Sequence, residues 1–202
     1  AAVIVKELIS LVQHLLVGWF KNPSSGILFF LYPGVGMLLA YLIVRFVIKD
    51  NISHGVTKVL LAISRNESKI RPHNIWSSIV TSALTIGFGG SVGAEAPIVY
   101  TGAAIGSNVG RKIGLSYKNI TLLLGCGAAG AIAGIFKAPM AGVLFTLEIL
   151  LFNISMTSIL PLVMSSITAT TVAYVFNGSA VTFATTLSGF RMYNIPFYIL
   201  FG

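Results

Sequence analysis

The chain has 202 residues, 55% of them hydrophobic and only 9% charged, with 13 Lys and Arg against five acids for a formal net charge of +8. An ordinary soluble domain is about 25% charged, and a water-facing fold of this length cannot hide so much apolar surface, so composition points to lipid as the solvent. The basic residues lie in short clusters between apolar runs, the pattern of loops facing cytoplasm or anionic lipid, which argues against a nucleic-acid partner.

In chain order, residues 1–20 read as the end of an apolar helix, and Lys21-Asn22-Pro23-Ser24-Ser25-Gly26 is turn chemistry. Lys6 and Glu7 interrupt the first run and no cleavage-like end follows, so no signal peptide is expected. Residues 26–48 form an apolar run long enough to cross about 30 Å of hydrocarbon at about 1.5 Å per residue. Residues 49–73 carry seven charged side chains around one short amphipathic helix at about 55–65. Next come apolar segments at 74–88 and 98–110, separated by a glycine-rich break from Gly87 to Pro97. A second basic cluster follows at Arg111, Lys112 and Lys118. Segments 119–135 and 138–152 flank Phe136-Lys137-Ala138-Pro139, 155–176 is a full-length span, 177–194 is polar, and Ile195 opens a new apolar segment. The abrupt start and stop make a fragment the expectation.

Several of these segments are too short to cross alone, so 74–88 with 98–110, and 119–135 with 138–152, read as broken or partial spans. An unpaired peptide group in lipid costs several kcal/mol, so such breaks must be buried in protein or line a wet cavity. Interrupted helices are the best sequence pointer to a transport site. If 74–88 and 98–110 go in and come back, the basic clusters at 45–71 and 111–118 fall on one side, which the positive-inside rule makes cytoplasmic. The spacing Gly102, Gly106, Gly110, with Gly130 and Gly134 in the next segment, predicts close helix packing. The expected fold class is all-α, a polytopic membrane protein with broken and tilted helices.

Glu95 is the sharpest candidate residue. It stands in Gly89-Gly90-Ser91-Val92-Gly93-Ala94-Glu95-Ala96-Pro97, just before an apolar helix. Pro97 suits the first turn, where a missing N–H is no loss, and the glycines let backbone approach a ligand closely. A helix start presents free N–H groups and partial positive charge, an arrangement that binds an anion. The Glu95 carboxylate can occupy that place, move aside for a free anion, or take a proton. The plainer alternative is that it caps its own helix, but a carboxylate inside an apolar chain points to function. Glu148 lines a water path or pairs near the interface. Ser53 caps the helix at about 55 or donates to an anion. His54 and His73 read as interfacial, and no spacing resembles a metal site. Gly89-Gly90-Ser91-Val92-Gly93 also matches the G-x-S-x-G pattern of serine hydrolases with Ser91 as nucleophile, but it follows a helix-like run where the pattern needs a strand, and no histidine lies within an apolar span. A non-conducting membrane scaffold is a third reading.

From about residue 26 to 176 these residues resemble the CLC family of chloride channels and proton-coupled chloride exchangers. The family's G-(K/R)-E-G-P segment appears as Gly93-Ala94-Glu95-Ala96-Pro97, and the run from Ala128 to Glu148 is the most specific match. The G-S-G-I-P segment aligns with Ile52-Ser53-His54-Gly55-Val56, keeping only the serine. The resemblance implies a gate at Glu95, an anion site formed by Ser53, Gly93, Ala94, Glu95 and Ala96, and chloride as substrate with no cofactor and no enzymatic activity. It implies a fold of two inverted repeats, assembled as a homodimer with a pore in each subunit. Residues 1–176 would then be the first repeat, lacking its N-terminal helix, and 177–202 a linker and the start of the second. The expected location is the plasma or inner membrane. Two departures stand out: Ala94 replaces the basic residue before the glutamate, and Ile149 follows Glu148 where exchangers have a proton-carrying glutamate. Ile149 tilts the expectation toward a channel, with a chloride/proton antiporter using another proton route as the alternative.

Overall fold

In the computed structural model the described residues are 2–19, 26–49, 55–150, 156–178 and 195, and among them there is no strand. They form eight α-helices: α1 (Ala2–Trp19), α2 (Gly26–Ile43), α3 (Gly55–Arg65), α4 (Asn74–Gly87), α5 (Glu95–Lys112), α6 (Tyr117–Phe136), α7 (Pro139–Leu150) and α8 (Met156–Asn177). A π-helical turn, Val44–Ile48, ends α2 and closes on Lys49, whose N–H bonds the Val44 carbonyl at 2.8 Å. By length and composition, Tyr117–Phe136 and Ser158–Asn177 are able to cross a membrane. The helices fall close to the expected segments. Two differences stand out: α6, expected to be too short to cross alone, runs for 20 residues and is long enough, and α5 begins at Glu95. Pro97 lies within its first turn, where no N–H is needed, so the helix reaches back to include the glutamate. The end of the chain, including most of the expected start of a second repeat, lies outside the described residues.

Helices α5 and α6 run antiparallel with their backbones in contact. A side-chain carbon at Gly102 would overlap the Gly127 carbonyl, and one at Gly127 would overlap that of Gly102. Gly106 faces the Leu123 carbonyl, and Gly110 packs on Ile120 and Leu123. In an apolar solvent, close backbone approach of this kind gains dispersion energy that larger side chains prevent. Helix α8 lies along a neighbouring face of α6, with Gly130 against Ser165 and Ala169. The Ser165 hydroxyl donates to the Cys126 carbonyl at 2.7 Å and the Thr170 hydroxyl to Ala133 at 3.2 Å, so α8 is parallel to α6. At the far end Lys137, in a left-handed conformation, reaches the Gly178 carbonyl with its ammonium (2.6 Å). A second apolar cluster joins Val5 of α1, Ile79 of α4, Ile98 of α5 and Ala131 of α6, with Ala94 and Ile135 packed against it. The end of α6 and the start of α5 therefore share one end of the bundle.

Candidate functional site

Helix α3 is too short to span a membrane, and two anchors fix where it points. At its N-terminus, Gly55 lies against the first turn of α5: a methyl there would come within 2.5 Å of the Ala96 carbonyl oxygen and 3.1 Å of Tyr100 Cβ. Only glycine permits this approach. At its other end, the loop after Arg65 is held by buried hydroxyls. Ser107 Oγ of α5 donates to the Ser68 carbonyl (2.6 Å) and accepts from the Ile70 N–H (3.0 Å). Ser68 Oγ and Thr121 Oγ1 of α6 share a 2.6 Å hydrogen bond, and Asn108 and Arg111 donate to the Ile70 carbonyl. Ser68 and Ser107 are fully buried. These bonds hold Glu67 and Ser68 at positive φ, 48° and 57°, a conformation that non-glycine residues adopt at a cost. Between the two anchors, Val59 and Ala62 of α3 pack into one cluster with Val99, Tyr100 and Ala103 of α5.

The consequence is that α3 and α5 run parallel with their N-termini side by side. The first backbone bond at the start of α5 is from the Ile98 N–H to the Ala94 carbonyl, at 3.1 Å. The N–H groups of Glu95 and Ala96 therefore project from the helix end without intrahelical partners. The positive ends of two helix dipoles add at this junction. The Glu95 carboxylate folds back over Gly93, so that a side chain at Gly93 would collide with its Oε2. A carboxylate so placed lies at the mouth of its own helix, where a free anion would bind. Glu95 is exposed and has no ion-pair partner among the described residues.

The structure thus brings Gly93, Ala94, Glu95 and Ala96 to one helix start and sets the beginning of α3 beside it. Ser53 lies outside the described residues, two positions before Gly55. Glu148 and Ile149 are on α7: Glu148 is exposed, and Ile149 packs against the cluster containing Val59, Tyr100 and Leu124. Ser91 is exposed in the break and makes no hydrogen bond with a histidine among the described residues; His54 lies outside them. Among the described residues no cluster of His, Cys, Asp or Glu could hold a metal ion. The serine and asparagine clamp on loop 66–70 was not foreseen. Its only signal in sequence is the presence of small polar residues at 68, 107 and 121 inside an otherwise apolar chain.

Short helices whose N-termini meet, in an apolar chain whose described residues hold no strand, are the architecture of a polytopic membrane protein. The family model for the voltage gated chloride channel matches residues 35–202, and the chain belongs to that family, one of integral membrane proteins. It is 30% identical over 158 residues to a putative chloride channel protein ClcB-like of Ralstonia nicotianae, covering 76% of this chain and 37% of that protein. It is 24% identical over 185 residues to the H(+)/Cl(-) exchange transporter ClcA of Vibrio cholerae, covering 86% of this chain and 39% of the relative. The fold matches the crystal structure of a slow cyanobacterial Cl-/H+ antiporter with a TM-score of 0.76 at 18% identity, over 98% of this chain and 47% of that one. The chain thus spans less than half the length of each of these proteins.

Proposed function

We propose that this chain is the first repeat of an anion-transport pore that carries chloride across a membrane, with Glu95 as its gate. The observation that carries the reading is the junction of α3 and α5: Gly55 against Ala96, two helix starts together, and the Glu95 carboxylate turned over Gly93 at the mouth of α5. Glu95 competes there with the transported anion, and protonation removes the competitor. Ser53, just before α3, is the expected hydroxyl donor to the anion. Residues 177–202 lead into a second repeat that completes the pore, and the full-length protein works as a homodimer. The end of α3 with Arg65, the loop with Lys69 and Arg71, and the end of α5 with Arg111 are held together by the Ser68–Ser107 clamp, which supports a single cytoplasmic face for both basic clusters.

The test is chloride flux from liposomes carrying the full-length protein. Replacement of Glu95 by Ala or Gln alters the flux and removes its pH response. Flux and pH response that match the parent in both variants overturn the gate assignment. Similarity to an exchange transporter and to an antiporter structure supports proton coupling as a second reading. Ile149, with no proton to carry, favours the channel. Uphill proton movement driven by a chloride gradient decides for the antiporter, and its absence for the channel.

A further inference from the structure

Helix α2 ends on a basic pair at the edge of the bilayer. The helix is antiparallel to α4: a side chain at Gly36 would meet Phe88 and the Leu84 carbonyl, at the end of α4, and the π-helical turn that follows α2 also touches α4. Arg45 stands about 13 Å along the axis beyond Gly36. That carries it toward Asn74, at the start of α4, whose N–H bonds the Arg71 carbonyl next to the clamped loop 66–70. The clamp also engages Thr121, in the second turn of α6, a helix long enough to cross a membrane. Arg45 and Lys49 therefore reach the membrane boundary at the clamp end of the bundle. Arg45 donates a guanidinium N–H to the Tyr41 hydroxyl, one turn earlier, at 3.0 Å. The turn Val44–Ile48 is π-helical and closes on Lys49, and its extra width keeps Lys49 near the face of Arg45. Tyr41, Arg45 and Lys49 are all exposed. Neither cation is in an ion pair among the described residues; Asp50, next in the chain, lies outside them. Toward the bilayer centre the same face continues with exposed Leu38 and then Gly34, where an added side-chain carbon would meet nothing within 4 Å.

Two cations, a phenol and an open apolar strip, stacked in that order from the boundary inward, match the phosphate, ester and acyl chain of a phospholipid. We propose that this face of α2 binds an anionic phospholipid in the leaflet that the basic clusters meet. Arg45 and Lys49 hold its phosphate, and one acyl chain lies along Leu38 and Gly34. The hydroxyl of Tyr41 fixes the guanidinium in advance, so less freedom is lost when the phosphate arrives. A zwitterionic lipid offers the pair no net charge and gains little. The plainer alternative is that both side chains only snorkel into the headgroup region at large, which gives no preference for one lipid at this face. The inference stands apart from the gate reading, since it needs neither Glu95 nor a transported anion.

The experiment places a fluorophore on Leu42→Cys, beside this face, in the full-length protein, with the parent as labelling blank because Cys126 is buried. The protein is reconstituted in phosphatidylcholine vesicles containing increasing fractions of phosphatidylglycerol brominated on its acyl chains. Half-quenching is expected at a lower fraction of brominated phosphatidylglycerol than of brominated phosphatidylcholine. Arg45→Gln and Lys49→Gln each raise the half-quenching fraction of the anionic lipid about fivefold, and the two together abolish the preference. Both positions are exposed, so the fold is kept. Lys118→Gln, an exposed cation at the start of α6 on the same boundary, leaves the preference intact. Equal quenching by the two lipids, or a preference that survives the double substitution, overturns the proposal. An equal loss in Lys118→Gln also overturns it, since general attraction of the basic surface then explains the binding. Excess inorganic phosphate that removes the preference overturns it too, and assigns the pair to a soluble anion.

Discussion

Replacing Ser107 by alanine removes one oxygen and strands two buried backbone groups. The Ile70 N–H loses its 3.0 Å acceptor, and the Ser68 carbonyl loses its 2.6 Å donor. Neither has water to turn to, because Ser107 and Ser68 are fully buried and Ile70 is nearly so. A buried group left without its partner costs about 1–3 kcal/mol. Two such groups, partly relaxed by movement of the loop, give an expected loss of about 2–4 kcal/mol. The measurement is unfolding of the full-length protein in detergent, followed by tryptophan fluorescence. Thr171→Val is the control, since Thr171 bonds only the Ile167 carbonyl one turn back in its own helix and is exposed. It should stay within about 0.5 kcal/mol of the parent. A Ser107→Ala protein that also stays within that range refutes the claim that the clamp fixes α3.

The glycine contact between α5 and α6 predicts that Gly102→Leu, which meets the Gly127 carbonyl and Ala131, costs more than about 3 kcal/mol or abolishes a monodisperse fold in size-exclusion chromatography. Gly34→Ala in α2 meets no atom within 4 Å, and it should leave stability unchanged or raise it by up to about 1 kcal/mol through helix propensity. Lys69 beside Glu67 bonds its carboxylate and holds its pKa below the ordinary carboxylate range. The pairing is therefore present at neutral pH and is lost as pH falls through that lowered pKa. Carbonyl NMR of Glu67 should show this, with Lys69→Met returning the titration to the ordinary range.

Much of the architecture was legible because lipid imposes simple rules on sequence. The switch from apolar runs to the amphipathic pattern at 55–65 located α3 as it stands, Gly55–Arg65. The small-residue spacing at Gly102, Gly106 and Gly110 identified a close-packed face, although not that its partner would be α6. Glu95 was legible as a rare carboxylate next to a glycine break. The convergence of α3 and α5 was not, because it depends on Gly55 meeting Ala96 across 41 residues of sequence, a contact that no local pattern encodes. The clamp was hidden for the same reason: Ser68, Ser107 and Thr121 are ordinary hydroxyls until the fold brings them together. Lys137 ends α6 at positive φ, where glycine would be expected, and the reasons lie in its tertiary partners: the Gly178 carbonyl and, at 5.0 Å, the Tyr174 ring.

Ile149 separates the channel and antiporter readings most directly, and its surroundings decide what a carboxylate there would do. The side chain is partly buried on α7 and packs against the cluster of Val59, Tyr100, Ala104 and Leu124. A proton-carrying residue needs water or a polar chain at its head group, and this surface offers aliphatic and aromatic carbon. Ile149→Glu therefore loses apolar burial worth about 1–2 kcal/mol and places a carboxyl against hydrocarbon, where it either pays several kcal/mol to stay charged or is driven to its neutral form. The expected result is a loss of about 3–5 kcal/mol in detergent unfolding, with no chloride-driven proton movement gained. Ile149→Met, which conserves volume and polarity, should cost less than about 1.5 kcal/mol. If Ile149→Glu instead keeps parental stability and moves protons uphill in liposomes, position 149 faces water in the complete protein. The packing against Val59 and Tyr100 then gives way to a hydrated path when the second repeat is present, and the antiporter reading displaces the channel.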